Sequence, residues 1–213
     1  MKQTKAFSMV ELTIVAFLLA TTIVLCLPAI FNNTKEAKII SAWKKNYSEL
    51  QSNFEVFNIS DKENIENVCS NNSVTNKEDE IFKILSPYLN VDITKNTNTL
   101  KSYHYKFQNG GQISMQSTLL TKRFAYQENN NIVGFKWLDC NCSEQIPCAV
   151  SIFDMNGTKT PNRLGEDVFG IYMFKNRIEA FGADFSTEDI EKNCKKHSSG
   201  VSCSEYYLRG GKF

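Results

Sequence analysis

The chain has 213 residues, and its 24 lysines and arginines against 23 aspartates and glutamates give a formal net charge of +1. This balance argues against a protein that binds nucleic acid through its overall charge, although it leaves a local basic patch open. The length is enough for one globular domain with its own hydrophobic core, in addition to an N-terminal helical segment.

The chain begins with a short basic leader containing Lys2 and Lys5, which is followed by a mostly apolar run over residues 7–30. Such a run is typical of one membrane-spanning helix, which needs about 20 apolar residues. Lysines ahead of the helix predict that this end faces the cytoplasm. An ordinary secretory signal is a poorer interpretation, because no small-residue cleavage site follows the apolar run.

The apolar run contains one carboxylate, Glu11, close to its beginning. A carboxylate in apolar surroundings is costly, so Glu11 is expected to have a functional partner. The pattern Ala6-Phe7-Ser8-Met9-Val10-Glu11 resembles the processing site of type IV prepilins and pseudopilins. The resemblance implies cleavage between Ala6 and Phe7, methylation of the new Phe7 amine, and neutralisation of a neighbouring subunit's amine by Glu11. Ala6 departs from the family, which nearly always has glycine there.

The resemblance implies a structural subunit, a minor pilin or pseudopilin, of a type IV pilus or a type II secretion-like filament. It implies three partners: other pilin or pseudopilin subunits, a prepilin peptidase and the inner membrane. The expected location is a single-pass protein of the inner membrane with its head outside the cytoplasm, and later an extracellular or periplasmic filament. The alternative from another class is a membrane-anchored adhesin or binding module that never assembles. No motif predicts an enzyme.

Beyond Pro28, large apolar residues recur at alternating spacings of three and four, which is typical of an amphipathic helix. These residues are Ile40, Trp43, Tyr47, Leu50, Phe54 and Phe57. We therefore predict a leader over 1–6, a spine helix over 7–58 whose part 7–30 is the transmembrane or assembly segment, and a globular head over 59–213. A coiled-coil stalk is the alternative, although about two and a half heptads are few for one.

The rest of the chain predicts two short helices, from Asp61 and over 76–89, and then mainly strands. Alternating or strongly apolar segments predict strands at 103–107, 124–126, 132–137, 149–153, 168–174 and 177–181. A hairpin turn is expected at 129–131, and a last helix from Ser186. The predicted fold class is α+β: a long N-terminal helix, transmembrane then amphipathic, packed on an antiparallel sheet, with a disulfide-closed C-terminal region, as in the pilin fold.

Six of the seven cysteines lie beyond the apolar run: Cys69, Cys140, Cys142, Cys148, Cys194 and Cys203. An even number of cysteines in an exported domain predicts disulfides. Cys194 and Cys203 are close in sequence and are expected to pair, which leaves Cys69 one partner among the other three. A zinc site within 140–148 is the alternative, although the spacing is not the paired C-x₂-C of a zinc ribbon.

Oxygen-bearing side chains are densest over residues 154–167. Asp154 and Asn156 stand on one side of an expected tight turn, as calcium ligands do, and Asp167 on the next strand supplies a third oxygen. The block resembles a signature near the C-terminus of many large pilin-like proteins, and some secretion pseudopilins bind calcium. The alternative is a plain turn at Asn156-Gly157, with Asp154 and Asp167 accepting hydrogen bonds from backbone amides.

Overall fold

The chain divides into two units, and the boundary in sequence lies between Lys38 and Ile39. The computed structural model describes residues 9–71, 73–95, 97–121 and 123–212, without the side chains of Glu11 and of residues 23–33. Helix α1 (Met9–Ser60) begins in the first unit and ends in the second. The last part of α1 therefore belongs to the second unit, because it packs into the core of that unit.

The predicted transmembrane segment at 7–30 is wrong, and with it the single-pass inner-membrane location. Within the part of the chain that the structure describes, no helix has a stretch both long enough and apolar enough to cross a membrane.

The second unit has an α+β fold, as predicted. Two helices follow α1, namely α2 (Lys62–Ser70) and α3 (Lys77–Leu85). The strands are β1 (Val91–Asp92), β2 (Arg123–Gln127), β3 (Ile132–Trp137), β4 (Ala149–Asp154), β5 (Val168–Met173) and β6 (Ile178–Ala180). They form one antiparallel sheet in the order β1-β2-β3-β4-β5-β6. Helices α4 (Thr187–Asn193) and α5 (Cys203–Leu208) end the chain.

One face of the sheet is covered by the amphipathic part of α1. The apolar stripe predicted from its spacing is buried at Trp43, Leu50, Phe54 and Phe57. The Trp43 ring stacks on Phe169 of β5 with 5.0 Å between ring centroids. Its indole Nε1 donates a hydrogen bond of 2.9 Å to the Ser204 carbonyl, which ties α1 to the C-terminal helix α5.

The other face of the sheet carries a second apolar cluster, which includes Tyr105, Ile152, Leu164 and Phe181. Phe181 fits closely against β5 because position 170 is glycine. A Cβ atom at Gly170 would lie 2.1 Å from a carbon of the Phe181 ring, closer than any real contact. Both faces of the sheet are therefore buried, and its central strands are accordingly apolar at nearly every position.

The predicted strand at 103–107 is wrong, although every residue of it is described. Only Lys106 bridges to other segments, at Gln112 and Arg163. The Phe107 amide donates to the Gly111 carbonyl, so the chain turns back before a strand can extend. The Lys106 amide and carbonyl instead bond the loop at residues 162–164, which brings the preceding tyrosines onto the sheet.

Three disulfides close the second unit, and the predicted pairing of Cys194 with Cys203 is confirmed. Cys69 at the end of α2 pairs with Cys140, and Cys142 pairs with Cys148. The zinc alternative is therefore excluded for these thiols, since all the cysteines of the 140–148 segment are oxidised. The Cys69–Cys140 bond joins positions 71 residues apart in sequence, and it fixes α2 against the loop after β3.

Candidate functional site

The two residues of the predicted leader cleavage, Ala6 and Phe7, lie outside the described part of the chain. Glu11, the predicted assembly carboxylate, lies in α1, and its side chain is also outside the described set. The roles of these three residues therefore stay predictions. What the structure describes around them is the surface of the helix from Met9 to Thr22.

The surface of this first helical stretch is apolar and open to solvent. The large apolar side chains of the stretch are each at least half exposed in the chain: Met9, Val10, Leu12, Ile14, Val15, Phe17, Leu18 and Leu19. Successive helical residues are separated by about 100°, so residues 14–19 point to all sides of the helix. We call these eight side chains the N-terminal apolar surface.

The threonines of the stretch do not interrupt this surface with unpaired hydroxyls. Thr13 donates to the Val10 carbonyl, and Thr21 donates to the Leu18 carbonyl one turn earlier. Thr22 likewise donates to carbonyls of the preceding turn. Since these hydroxyls are satisfied within the helix, they are compatible with an apolar surrounding.

The acidic loop, residues 154–167, brings together the three predicted calcium ligands. The Asp154 and Asp167 side chains are fully buried, and Asn156 lies between them. The Asn156 amide donates 3.0 Å to Asp154 Oδ1, and its side-chain Nδ2 donates 2.9 Å to Asp167 Oδ2. The turn that positions them has Gly157 at a φ of +72°, a conformation that glycine adopts readily.

The hydrogen bonds of the acidic loop occupy every oxygen of its two buried carboxylates. Tyr103 Oη donates 2.6 Å to Asp154 Oδ2. The backbone amides of Asn162 and Arg163 donate to Asp167 at 3.0 and 2.7 Å. These bonds are compatible with a turn stabilised by backbone amides. Asn156 Oδ1, in contrast, is buried without a hydrogen-bond partner among the described residues, so calcium binding by Asp154, Asn156 and Asp167 stays a prediction.

Burial has electrostatic consequences for both carboxyls of the loop. The pKa of Asp154 is raised to about 7; desolvation is the largest cause, and the nearby charge of Asp167 contributes in the same direction. The pKa of Asp167 is also raised, mainly by desolvation, while hydrogen bonds from Arg163 and Asn162 oppose the shift. Asp154 in the folded chain therefore keeps its proton to a higher pH than an ordinary aspartate does.

This shift predicts how stability depends on pH. A carboxyl whose pKa is raised on folding stabilises the fold fully below its ordinary value of 3.8, and this contribution is lost as pH rises through about 7. We expect the free energy of unfolding to fall between about pH 4 and pH 7 by an amount on the order of a few kcal/mol. Asp154→Asn should remove most of that slope, because asparagine has no proton to lose.

The measurement is denaturant unfolding at several pH values for the wild type, Asp154→Asn and a matched control. Glu128→Gln is the control, since it removes one carboxylate from an exposed position. An equal pH slope in the wild type and in Asp154→Asn would contradict the assignment of the slope to this buried carboxyl.

Sequence reasoning missed the residues that complete the loop. Tyr103 was expected in a strand, but the bridge at Lys106 places its hydroxyl on Asp154. The amides of Asn162 and Arg163 carry no signature in their side-chain types, so no sequence signal identifies them as donors.

Comparison of the chain with protein-family models, with curated proteins and with solved structures found no match.

Proposed function

We propose that the chain is a structural subunit of a filament of the type IV pilin or pseudopilin kind, a minor pilin or pseudopilin. After removal of residues 1–6 and methylation of Phe7, the N-terminal apolar surface packs against the same surface of other subunits. Glu11 pairs with the terminal amine of a neighbour. The prepilin peptidase and the other subunits are the partners that this function requires.

The observation that carries the proposal is the N-terminal apolar surface itself. Met9 is 85% exposed and Phe17 is 70% exposed in the single chain. A helix that is apolar on all sides is normally buried on all sides, and exposed apolar patches of this extent mark interaction sites. A filament core satisfies this need because several neighbouring helices surround each one.

The position of the carboxylate supports the same function. Glu11 lies within the first turns of α1, among the apolar positions 9–19. An unpaired carboxylate among packed apolar helices is severely unfavourable, whereas pairing with an amine offsets the cost. Pairing with the terminus of another subunit would then fix the register of each subunit that enters.

A charge placed on the N-terminal apolar surface tests the proposal. Leu18 is 57% exposed in the single chain, so Leu18→Asp should leave the fold and its melting temperature unchanged. In a filament the new carboxylate would be buried without a partner, at a cost of several kcal/mol. We expect the amount of the chain in sheared, sedimented filaments to fall by about a hundredfold or more.

The matched control is Ile59→Asp, which changes another exposed apolar residue of α1, 89% exposed, outside the N-terminal apolar surface. This variant should enter filaments as the wild type does. The mature N-terminus of each variant is determined in the same samples, so that a processing defect is separated from an assembly defect. Equal filament entry by the wild type and Leu18→Asp would overturn the proposal.

A further inference from the structure

A polar groove of about 800 Å³ lies in the second unit, beside β1 and the turn between β2 and β3. This volume is within the range of small-molecule sites. Carboxamides, hydroxyls and carboxylates line it, among them Asn46, Ser52, Asn53, Asp92, Gln127 and Glu128. The lining residues, all of which are described, include no lysine, arginine, histidine or aromatic side chain.

The floor of the groove is a network of buried carboxamides. Asn46 and Gln127 are 6% and 2% exposed, and Asn131 behind them is 7% exposed. Gln127 Nε2 donates to Asn46 Oδ1 at 3.2 Å and to the Leu89 carbonyl at 2.9 Å. Asn131 Nδ2 donates to Gln127 Oε1 at 3.3 Å, so the three side chains are connected by hydrogen bonds.

One donor of this network has no acceptor. Asn46 Nδ2 is buried and finds no hydrogen-bond partner among the described residues. Buried polar groups are nearly always paired, because an unpaired donor retains its full desolvation cost. Asn46 also lines the groove, so a rotation of its side chain would bring this buried donor to an oxygen atom of a ligand seated on the floor.

The charges of the groove restrict the kind of ligand. Glu49, Asp92 and Glu128 are its edge carboxylates, and hydrogen bonds from Thr94 lower the pKa of Asp92, so it is ionised at neutral pH. These carboxylates repel phosphate, sulfate and carboxylate groups, and they accept hydrogen bonds from hydroxyl or amino groups. An anionic ligand is therefore disfavoured, as are nucleic acids.

The backbone of the groove argues against an extended peptide. β1 is an edge strand, to which a peptide strand would add through free amides and carbonyls. The Val91 amide, however, already donates 2.9 Å to the Ser86 carbonyl. Pro87 is the exposed apolar residue of the lining, and it offers a small surface for the C–H face of a sugar ring.

We propose that this groove binds a saccharide that is uncharged or bears amino groups, with Asn46 and the exposed carboxamides of Asn90 and Asn129 bonding its hydroxyls. Carboxamides donate and accept at once, which matches hydroxyl groups that do the same. An oxygen of the sugar pairs with Asn46 Nδ2, and the edge carboxylates accept from its hydroxyl or amino groups. The inference is independent of filament entry, because the groove is complete in one chain.

Saturation-transfer difference NMR on the full-length chain tests this proposal. The probes are N,N′-diacetylchitobiose, its deacetylated amine form, a sulfated disaccharide and a short lysine-rich peptide. We expect signal transfer to the first two probes and none to the sulfated sugar or the peptide. Absence of transfer to both unsulfated sugars, or equal transfer to the sulfated sugar or to the peptide, would overturn the proposal.

Ser52→Arg locates the binding, because Ser52 is an exposed residue of the groove and the long side chain would fill it. This variant should lose the transfer to both sugars. Ser41→Arg makes the same substitution at an exposed position of α1 outside the lining, and it should keep the transfer. Melting temperatures confirm that both variants fold. Undiminished transfer in Ser52→Arg would contradict binding in this groove.

Discussion

Replacing Trp43 with alanine is expected to lower the free energy of unfolding by about 3–5 kcal/mol, the usual cost of removing a fully buried large aromatic side chain. Trp43 is 0% exposed, and its ring stacks on Phe169 between α1 and the sheet. Its loss opens a cavity and removes the donor of the Ser204 carbonyl. Such a loss is a large share of the 5–15 kcal/mol that typically stabilises a domain.

Two further variants show whether the cost of Trp43→Ala is specific to this position. The free energy of unfolding of each variant is measured by denaturant unfolding with the disulfides intact. Trp43→Phe keeps an aromatic ring but loses the hydrogen bond, so its cost should be smaller. Trp137→Ala removes the second tryptophan, which is only partly buried and whose Nε1 has no partner among the described residues. A cost of Trp43→Ala no greater than that of Trp137→Ala would contradict the role of Trp43 as the contact between helix and sheet.

Glu11→Ala is expected to give a chain that is processed normally and does not enter filaments. Without the carboxylate, the amine of the neighbouring subunit would be buried unpaired, which costs about 3–5 kcal/mol. This corresponds to a decrease in subunit entry of about two orders of magnitude or more. The measurement is quantitative immunoblotting of sheared filaments against total processed chain.

Glu36→Ala is the matched control for Glu11→Ala, since Glu36 lies on the same helix, outside the apolar positions 9–19. We expect it to enter filaments as the wild type does. Filaments that contain Glu11→Ala at the wild-type level would show that the carboxylate has no part in assembly, whatever the role of the apolar surface.

The sheet was predictable because its signals are local. The segments around Phe135, Phe153 and Phe169 combine apolar runs with turn residues at their ends, and they form β3, β4 and β5. Asn130 adopts a φ of 65° in the hairpin turn between β2 and β3, a conformation that asparagine tolerates better than most residues. Sequence pattern and local geometry agree in this region.

The elements that depend on distant contacts were not predictable. Strand β1 has only two residues, Val91 and Asp92, and its register comes from pairing with Gln127 and Tyr126. Helix α5 has no side-chain cap, and it is held by buried Tyr207 and by the Cys203 disulfide. The Cys69–Cys140 pairing likewise requires α2 and the loop after β3 to meet in space, which cysteine spacing alone does not encode.

The candidate sites also combine local features, which the sequence predicts, with features that depend on distant contacts. Asp154 and Asp167 stood out in the sequence as oxygen-bearing side chains, whereas their burial and the donor from a distant segment, the Tyr103 hydroxyl, did not. The apolar run at the N-terminus was visible, yet its length suggested a membrane span that the described residues do not provide. The groove that Asn46 lines has no sequence signature, because three separate segments form it.

The mass of the mature N-terminal peptide tests the filament account most directly. The account predicts a purified chain that begins at Phe7 with a methylated amine, since only a new amine can meet Glu11 of another subunit. Tandem mass spectrometry of the N-terminal fragment distinguishes this form from an unprocessed chain. A mature protein that still carries residues 1–6 would contradict the account, because the amine that Glu11 is proposed to neutralise would not exist.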